Sequence, residues 1–204
     1  MTLSEFDNEI RKDHNVVCGC DEAGRGPLAG DVFAAAVIFD KDTVIEGIND
    51  SKKLTAKKRE ELFDEIMEKA VDFSIQTATV EEIEDINILN AAMLAMKRAV
   101  EDMDTKPGVC LIDGNKTPEG LECPAIAVVK GDAKSQAVAA ASILAKVARD
   151  RYMEQMAEQY PEYRFEKHKG YGTKLHYQMI DQYGPCGIHR MSFLKKYYAK
   201  KNGH

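Results

Sequence analysis

The chain has 204 residues, a formal net charge of −6 and a charged fraction of 30%, which is typical of a folded protein. A chain of this length forms one sizeable core, and we expect residues 1–204 to form a single domain. Its longest apolar run, VFAAAVIF, is far shorter than the roughly 18 residues of a membrane span, so no membrane partner is expected. The charged start MTLSEFDNEIRKDH lacks an apolar signal region, and we expect a cytoplasmic monomer.

Five cysteines lie mostly in apolar segments, at positions 18, 20, 110, 123 and 186. An odd number in such segments indicates buried, reduced thiols and not a disulfide framework. Neither the Cys18/Cys20 pair nor the Cys186/His189 pair forms two spaced Cys-x-x-Cys units, so a zinc site is not expected.

The first half of the chain predicts two strands, a helix, a strand and a second helix. The segments VVCGC and DVFAAAVIF are typical of strands, and the Gly-rich loop between them predicts an antiparallel pair. Apolar positions at helical spacing predict a helix over 55–70, with Thr55 as its N-cap. VDFSIQTATV alternates like a strand, and NILNAAMLAMKRAV predicts a largely buried helix over 87–100.

The second half predicts two more strands and a long helix. GVCLIDG and AIAVVKGD are typical of short strands, and the Ala-rich segment 135–156 predicts the helix. Strands that come first as a meander and then alternate with helices predict an α/β fold, with a mixed sheet that is antiparallel early and parallel later. Short helices separated by KGYGTK and YGPCG form the tail, and a subdomain boundary is expected near Pro161.

The net charge conceals a basic C-terminal segment. Residues 161–204 contain nine lysines and arginines against three acids, whereas the preceding 160 residues contain 19 basic and 31 acidic side chains. Such a segment beside an acidic pocket suits a phosphate-binding surface. A solvated helical face would have the same charge, so composition leaves both interpretations open.

Four carboxylates follow apolar strands at points where one sheet edge could gather them. Asp21 and Glu22 follow the first strand, Asp113 ends GVCLIDG, and Asp132 lies between a strand and the long helix. Successive strand side chains point to opposite faces, so Asp21 and Glu22 reach one point only if the backbone bends there, and the small, flexible segment AGRG that follows could provide the bend. Clustered carboxylates repel one another unless cations lie among them, and Mg²⁺ and Mn²⁺ prefer oxygen ligands. The four acids together predict a divalent-metal site.

Each acid also has a simpler interpretation. Asp113 could shape a turn, Asp132 could cap the long helix, and the Asp21–Glu22 pair could be solvated loop acids. A nucleotide-cofactor loop is disfavoured, because GRGPLAG has the wrong glycine spacing and Pro27 opposes a helix starting at the second glycine.

The motifs of the chain resemble those of the bacterial branch of the type 2 ribonuclease H family, ribonuclease HII. Seven blocks carry this resemblance in family order: DEAGRGPLAG (21–30), NDSKKL (49–54), LIDGN (111–115), VVKGD (128–132), AAASILAKVARD (139–150), HKGYGT (168–173) and HRMSF (189–193). The resemblance implies a ribonuclease H-like fold, with a mixed five-stranded sheet flanked by helices and a small helical C-terminal portion over about 161–204.

The resemblance also implies an activity and a set of site residues. It implies hydrolysis of the RNA strand of RNA–DNA hybrids and incision 5′ of single ribonucleotides in duplex DNA, leaving a 3′-hydroxyl and a 5′-phosphate. Asp21, Glu22, Asp113 and Asp132 match the family's catalytic carboxylates, which hold two divalent cations, Mn²⁺ or Mg²⁺. Positions that match or suit substrate contacts are Gly24, Arg25, Gly26, Ser51, Lys52, His168, Lys169, Tyr171 and Arg190. No clamp-binding tail is recognised.

Three alternatives remain open. A non-catalytic hybrid-binding module on the same fold would be favoured by loss of a metal carboxylate, but all four are present. A recombinase-like DNA nuclease has no use for the Gly-Arg-Gly turn and Tyr171, which serve recognition of a ribose. A redox or cofactor enzyme is disfavoured by the glycine spacing.

Overall fold

The computed structural model of the chain describes residues 1–48 and 54–201. Five strands of this part form one sheet: β1 (Val17–Ala23), β2 (Val32–Ile38), β3 (Asp72–Ala78), β4 (Val109–Asp113) and β5 (Ala125–Val128). The α-helices are α1 (Leu3–His14), α2 (Ala56–Lys69), α3 (Val80–Glu101), α4 (Gln136–Gln159), α5 (Phe165–His168), α6 (Lys174–Tyr183) and α7 (Met191–Lys201).

The sheet is mixed, with the strand order β3-β2-β1-β4-β5. β1 and β2 pair antiparallel, as do β2 and β3, whereas β4 lies parallel to both β1 and β5. The predicted α/β architecture is therefore confirmed, as is its change from antiparallel to parallel pairing.

Strand β2 is buried on both faces, since all seven of its residues are inaccessible to solvent. Ala34 and Ala36 contribute to the core on the α3 side, whereas Ala35 and Val37 contribute to the core on the α2 and α4 side. The alternation follows from the two-residue period of a strand. Small alanine side chains allow helices to pack closely on both faces of the sheet.

The N-terminal end of α4 is fixed against β1. A Cβ atom placed on Gly19 would lie 2.2 Å from the carbonyl carbon of Ala137, so a glycine is required there. The Ser135 side chain caps α4 by accepting from the Val138 amide, and Asp7 of α1 accepts from the Ala137 amide at 2.9 Å. The long helix therefore has a defined position over the strand that carries the acidic pair.

Two helical features differ from the sequence prediction. The helix expected over 87–100 begins at Val80, and Asn87 interrupts it with φ 67° and ψ 162°. The Asn87 side chain accepts from the amides of Leu89 and Asn90, so it caps the second half, which matches the predicted segment. Helix α1 was not predicted, although Thr2 and Glu5 form a capping box that marks its start.

The helices and cysteines of the described residues agree with the composition. No helix within 1–48 and 54–201 combines the length and apolarity that a membrane crossing requires. The five cysteines all lie in these ranges and are free thiols, as predicted, with Cys18, Cys20 and Cys110 buried.

Candidate active site

Two of the predicted acids lie side by side at the end of the parallel β1–β4 pair. Cys20 is in register with Ile112, so the next residues, Asp21 and Asp113, occupy adjacent positions. Burial raises the pKa of Asp21 well above its usual range, and the charges of Glu22 and Asp113 raise it further. Hydrogen bonds from Ser142 and from the Glu22 amide act in the opposite direction. Three carboxylates are therefore close enough to repel one another.

The backbone bends after the acidic pair, within the segment Ala-Gly-Arg-Gly that the sequence indicated. β1 remains paired with β2 as far as Ala23, and the chain turns one residue later at Gly24, where φ is +101°. Glu22 forms an ion pair with Arg25 at 3.1 Å. The turn thus follows the acidic pair, and its own arginine contacts the second acid.

Asp132 is linked to this strand end through its neighbour Gly131. The amide of Gly131 donates a 2.7 Å hydrogen bond to Asp113 Oδ1. The helix-cap interpretation of Asp132 is wrong, because Ser135 caps α4. Asp132 lies instead in a short 3₁₀ turn, with 8% of its surface exposed. The structure therefore brings all four predicted carboxylates to one edge of the sheet.

The chemistry of these donors fits a hard divalent cation. All four side chains offer carboxylate oxygens, the ligand type that Mg²⁺ and Mn²⁺ prefer. The mutual repulsion acting on Asp21 is the interaction that a bound cation relieves. Within the described ranges, no group of three or more Asp, Glu, His or Cys side chains converges tightly enough to hold an ion as arranged.

An open groove of about 500 Å³ begins at the acidic pair. The turn 24–26 forms part of its wall, together with Ser142, Lys146 and Tyr171. Ile88, beside the break in α3, and Phe193 of α7 add an apolar surface. The groove therefore combines acids, two basic side chains, backbone without side chains at two glycines and exposed aromatic surface.

Tyr171 lies beside the glycine turn on the groove wall. Its side chain is 43% exposed, and a Cβ atom placed on Gly26 would lie 3.8 Å from its ring. Lys146 Nζ and Arg149 Cζ lie 6.0 and 5.9 Å from the ring centroid. Tyr171 thus offers an accessible ring beside the turn, where a sugar or base could stack.

The remaining predicted contacts are placed differently. Arg190 is 0% exposed and His168 is 7% exposed, so neither side chain presents a charge to an incoming phosphate. The Arg190 guanidinium donates to carbonyls of the loop 24–30, and the His168 ring bonds to Tyr163 and Gly170. Their predicted direct contacts are corrected accordingly.

Lys169, also predicted to contact substrate, forms an ion pair with Glu154 at 2.6 Å. Its side chain is 19% exposed, so its ammonium group is engaged on the protein surface. Ser51 and Lys52 lie outside the described residues, and their predicted phosphate contacts stay predictions.

Sequence reasoning assigned no role to three residues of α4 that face this region. Ser142, Lys146 and Arg149 are spaced by four and three positions, which places them on one helix face. The sequence signal that could have identified them is the spacing of polar residues within an otherwise alanine-rich segment. Burial lowers the pKa of Arg149, whose side chain lies directly under Gly24.

Comparisons with known proteins agree with this geometry. A family model described as Ribonuclease HII matches residues 18–196. The chain is 54% identical over 189 residues to a ribonuclease HII of Caldicellulosiruptor saccharolyticus, covering 93% of this chain and 92% of the relative. The crystal structure of ribonuclease H2 from Pyrococcus horikoshii is similar with a TM-score of 0.75 and 28% identity, covering 93% of this chain and 100% of that one. RNase HII of Archaeoglobus fulgidus, solved in complex with PCNA, is similar with a TM-score of 0.70 and 26% identity, covering 86% and 94%.

Proposed function

The chain belongs to the ribonuclease HII family and is a ribonuclease H endonuclease, and from this premise we propose its substrate and mechanism. It hydrolyses the RNA strand of RNA–DNA hybrids and incises duplex DNA on the 5′ side of single embedded ribonucleotides. The products carry a 3′-hydroxyl and a 5′-phosphate. The observation that carries the proposal is the acidic strand end joined directly to a groove walled by the turn 24–26 and Tyr171.

Asp21, Glu22, Asp113 and Asp132 hold two divalent cations, Mg²⁺ or Mn²⁺, in this proposal. When bound, such ions would supply an activated water molecule and charge to stabilise the leaving oxygen of an in-line displacement. The role of the four carboxylates would be to hold the ions and orient the water, and none of them forms a covalent bond to the phosphate. Lys146 lies on the groove wall and is ion-paired with Asp150 at 2.5 Å, so it contributes to the attraction of the phosphate backbone only when that pair opens.

Selection of ribose requires a hydrogen-bonding group directed at the 2′-hydroxyl, which distinguishes RNA from DNA. Backbone groups of Gly24, Arg25 and Gly26 can approach a sugar closely, because two of the three residues lack side chains. Tyr171 packs on the sugar that follows the ribonucleotide. A deoxyribose there permits close stacking, so an RNA-to-DNA junction is the preferred site.

The basic C-terminal segment and the 49–54 motif extend the substrate contact. The accessible basic residues of 161–204 provide sequence-independent attraction to phosphates, and Ser51 and Lys52 contact the phosphate backbone. We place the protein in the cytoplasm, as a monomer. Its free, mostly buried thiols suit a reducing compartment.

The test uses an end-labelled duplex DNA that carries one ribonucleotide, incubated with Mg²⁺, with Mn²⁺ or with chelator. An all-DNA duplex and an Asp21→Asn variant are run in parallel. The matched control is Asp40→Asn, which changes an exposed carboxylate after β2. We expect the wild type and Asp40→Asn to cleave just 5′ of the ribonucleotide in the presence of metal. Asp21→Asn should not cleave this duplex, and none of the proteins should cleave the all-DNA duplex.

Two other outcomes would replace the proposal. If the folded protein binds the ribonucleotide-containing duplex but leaves it intact with both metals, it acts as a hybrid-binding module. If the all-DNA duplex is cleaved equally well, the protein is a DNA nuclease of the recombinase type.

A further inference from the structure

Two buried arginines hold the loop that carries the Gly-Arg-Gly turn. Arg149 of α4 is 1% exposed and Arg190, which precedes α7, is 0% exposed. The loop between β1 and β2 runs over both guanidinium groups. Neither arginine is assigned a part in the reaction proposed above.

Arg190 donates hydrogen bonds to backbone carbonyl groups of the turn and of the loop that follows it. Its Nη2 donates to the Gly24 carbonyl at 2.7 Å, and its Nη1 donates to the Arg25 carbonyl at 3.1 Å and to the Pro27 carbonyl at 2.9 Å. Nε and Nη2 also donate to the Gly30 carbonyl. One side chain thus fixes four peptide groups of the loop.

Arg149 extends this arrangement to both walls of the groove. Its guanidinium donates to the carbonyls of Ala29 and Asp31 at 3.0 and 3.2 Å, and to the Lys169 carbonyl at 3.1 Å. Lys169 lies two residues before Tyr171. Gly170 completes the link, because its carbonyl accepts from the Leu28 amide at 2.8 Å.

These bonds determine where the amide hydrogens of the turn point. In a planar trans peptide the C=O and the following N–H are directed oppositely, and the described peptides are all trans. Because the Gly24 and Arg25 carbonyls face the Arg190 guanidinium, the amides of Arg25 and Gly26 face away from it. The groove wall at this point is formed by these same residues.

The guanidinium groups of Arg149 and Arg190 lie beneath the turn, where the backbone carbonyls that accept their hydrogen bonds stabilise the positive charge. Asp31 is attracted to both arginines, while its Oδ1 accepts from the Val80 amide at the start of α3. This carboxylate, for which the sequence suggested no role, therefore connects the loop to α3. The buried cations add a favourable field for an electronegative oxygen above the turn.

We propose that Arg190 is a positioning residue that orients the amides of Arg25 and Gly26 into the groove as donors to the ribose 2′-hydroxyl and its neighbouring phosphate, and that Arg149 supports it by fixing the end of the same loop against the segment that carries Tyr171. The inference rests on the proposed function. It adds that ribose selection depends on two side chains that do not touch the substrate. A lysine in place of either arginine keeps the charge but loses the planar fork that fixes several carbonyls at once.

The test measures the dissociation constants of two fluorescein-labelled duplexes in EDTA, which prevents cleavage. One duplex is all DNA and the other carries one ribonucleotide. If the turn makes one or two hydrogen bonds to the ribonucleotide, the wild type should bind the ribonucleotide-containing duplex roughly five- to tenfold more tightly than the all-DNA duplex. We expect Arg190→Lys and Arg149→Lys to bring this ratio to about one while affinity for all-DNA duplex stays within twofold. Arg11→Lys, which removes an arginine–carbonyl contact to Phe39 at the distant α1, should retain the wild-type ratio.

A merely structural role would lower the active fraction and weaken binding of both duplexes together, leaving the ratio unchanged. An unchanged ratio in the lysine variants would therefore overturn the inference. A second measurement needs no variant: in ¹⁵N-labelled wild type, the ribonucleotide should shift the amide signals of Arg25 and Gly26 relative to all-DNA duplex. Identical spectra would also overturn it. If the wild type neither prefers nor incises the ribonucleotide-containing duplex, the proposed function itself fails.

Discussion

The rings of His176 and His189 are joined by a hydrogen bond between their Nε2 atoms, which lie 3.0 Å apart. The Cys186 amide donates to His189 Nδ1, so in the neutral ring the proton of His189 is on Nε2. His176 Nε2 must then accept, and its Nδ1 donates to the Tyr171 carbonyl at 3.0 Å. The Cys186 amide and the Tyr171 carbonyl thus fix the tautomers of the two rings.

This arrangement predicts a loss of stability in mild acid. Burial lowers the pKa of His176 and of His189 from 6.5 to about 4, and the charge of neighbouring His168 lowers both further. The unfolded state therefore binds more protons between these values, and the free energy of unfolding falls as pH decreases from about 6.5 towards 4. Each shift corresponds to roughly 3 kcal/mol. Urea unfolding at pH 7.5, 6, 5 and 4 measures the decline.

Substitution of one ring isolates the contribution of the pair from other acidic groups. His176→Gln should be less stable than wild type at pH 7.5 but should lose less stability between pH 6.5 and 4. His14→Gln, at the end of α1, is the matched control and should show the wild-type slope. Parallel pH profiles of wild type and His176→Gln would contradict the assignment.

The contact between Gly19 and α4 predicts a large effect of one methyl group. In Gly19→Ala the new Cβ would lie 2.2 Å from backbone atoms of Ala137 and Val138, so the helix must move from the strand. We expect a loss of about 3 kcal/mol or more in the free energy of unfolding, as for severe overpacking. In the control Gly187→Ala, the new Cβ would have Tyr160 Oη as its nearest neighbour at 3.5 Å. This substitution should change the free energy of unfolding by less than about 0.5 kcal/mol.

The placement of the acids could be predicted because it follows from strand periodicity and topology. Asp21 and Asp113 end apolar runs, and parallel neighbours bring such ends to one sheet edge. The sequence also indicated a bend in the segment 23–26, and this bend begins at Gly24 because pairing with β2 continues to Ala23. Where a turn begins depends on partner strands, which a local pattern does not contain.

The burial of Arg190 could not be predicted from its sequence neighbourhood. A basic residue in a basic segment is ordinarily exposed, whereas its hydrogen-bonding partners lie some 160 positions earlier in the chain. Likewise, the break at Asn87 needs a non-glycine residue at positive φ. Long-range contacts bury Arg190, and a single sequence does not reveal them.

The carboxylate edge predicts that divalent cations stabilise the folded protein. A ligand that binds the native state at 100 times its Kd adds about 2.7 kcal/mol, which raises the Tm of a chain of this size by several degrees. Mn²⁺ should produce this shift in wild type, and Asp113→Asn should lose at least half of it. Asp40→Asn should behave like wild type. Equal shifts in all three proteins would place the ion elsewhere.

Tyr171 provides the final prediction, on substrate preference. Its exposed ring lies beside Gly26, and loss of a stacking contact costs on the order of 1–3 kcal/mol. Tyr171→Ala should therefore reduce kcat/KM roughly tenfold or more on duplex DNA with one ribonucleotide. The reduction should be smaller on an all-RNA strand paired with DNA, because a ribose after the cleavage site does not permit the same close stacking. Tyr171→Phe keeps the ring and should retain most of the activity on both substrates.

A second exposed tyrosine makes the comparison specific. Tyr183 of α6 is 50% exposed but is not part of the groove wall, so Tyr183→Ala should leave the ratio of kcat/KM values on the two substrates unchanged. The experiment compares this ratio across the variants, since a loss of folded protein affects both substrates alike. Equal losses on both substrates in Tyr171→Ala would mean that the ring supports the loop rather than the sugar. A selective loss would show that junction preference depends on the ring.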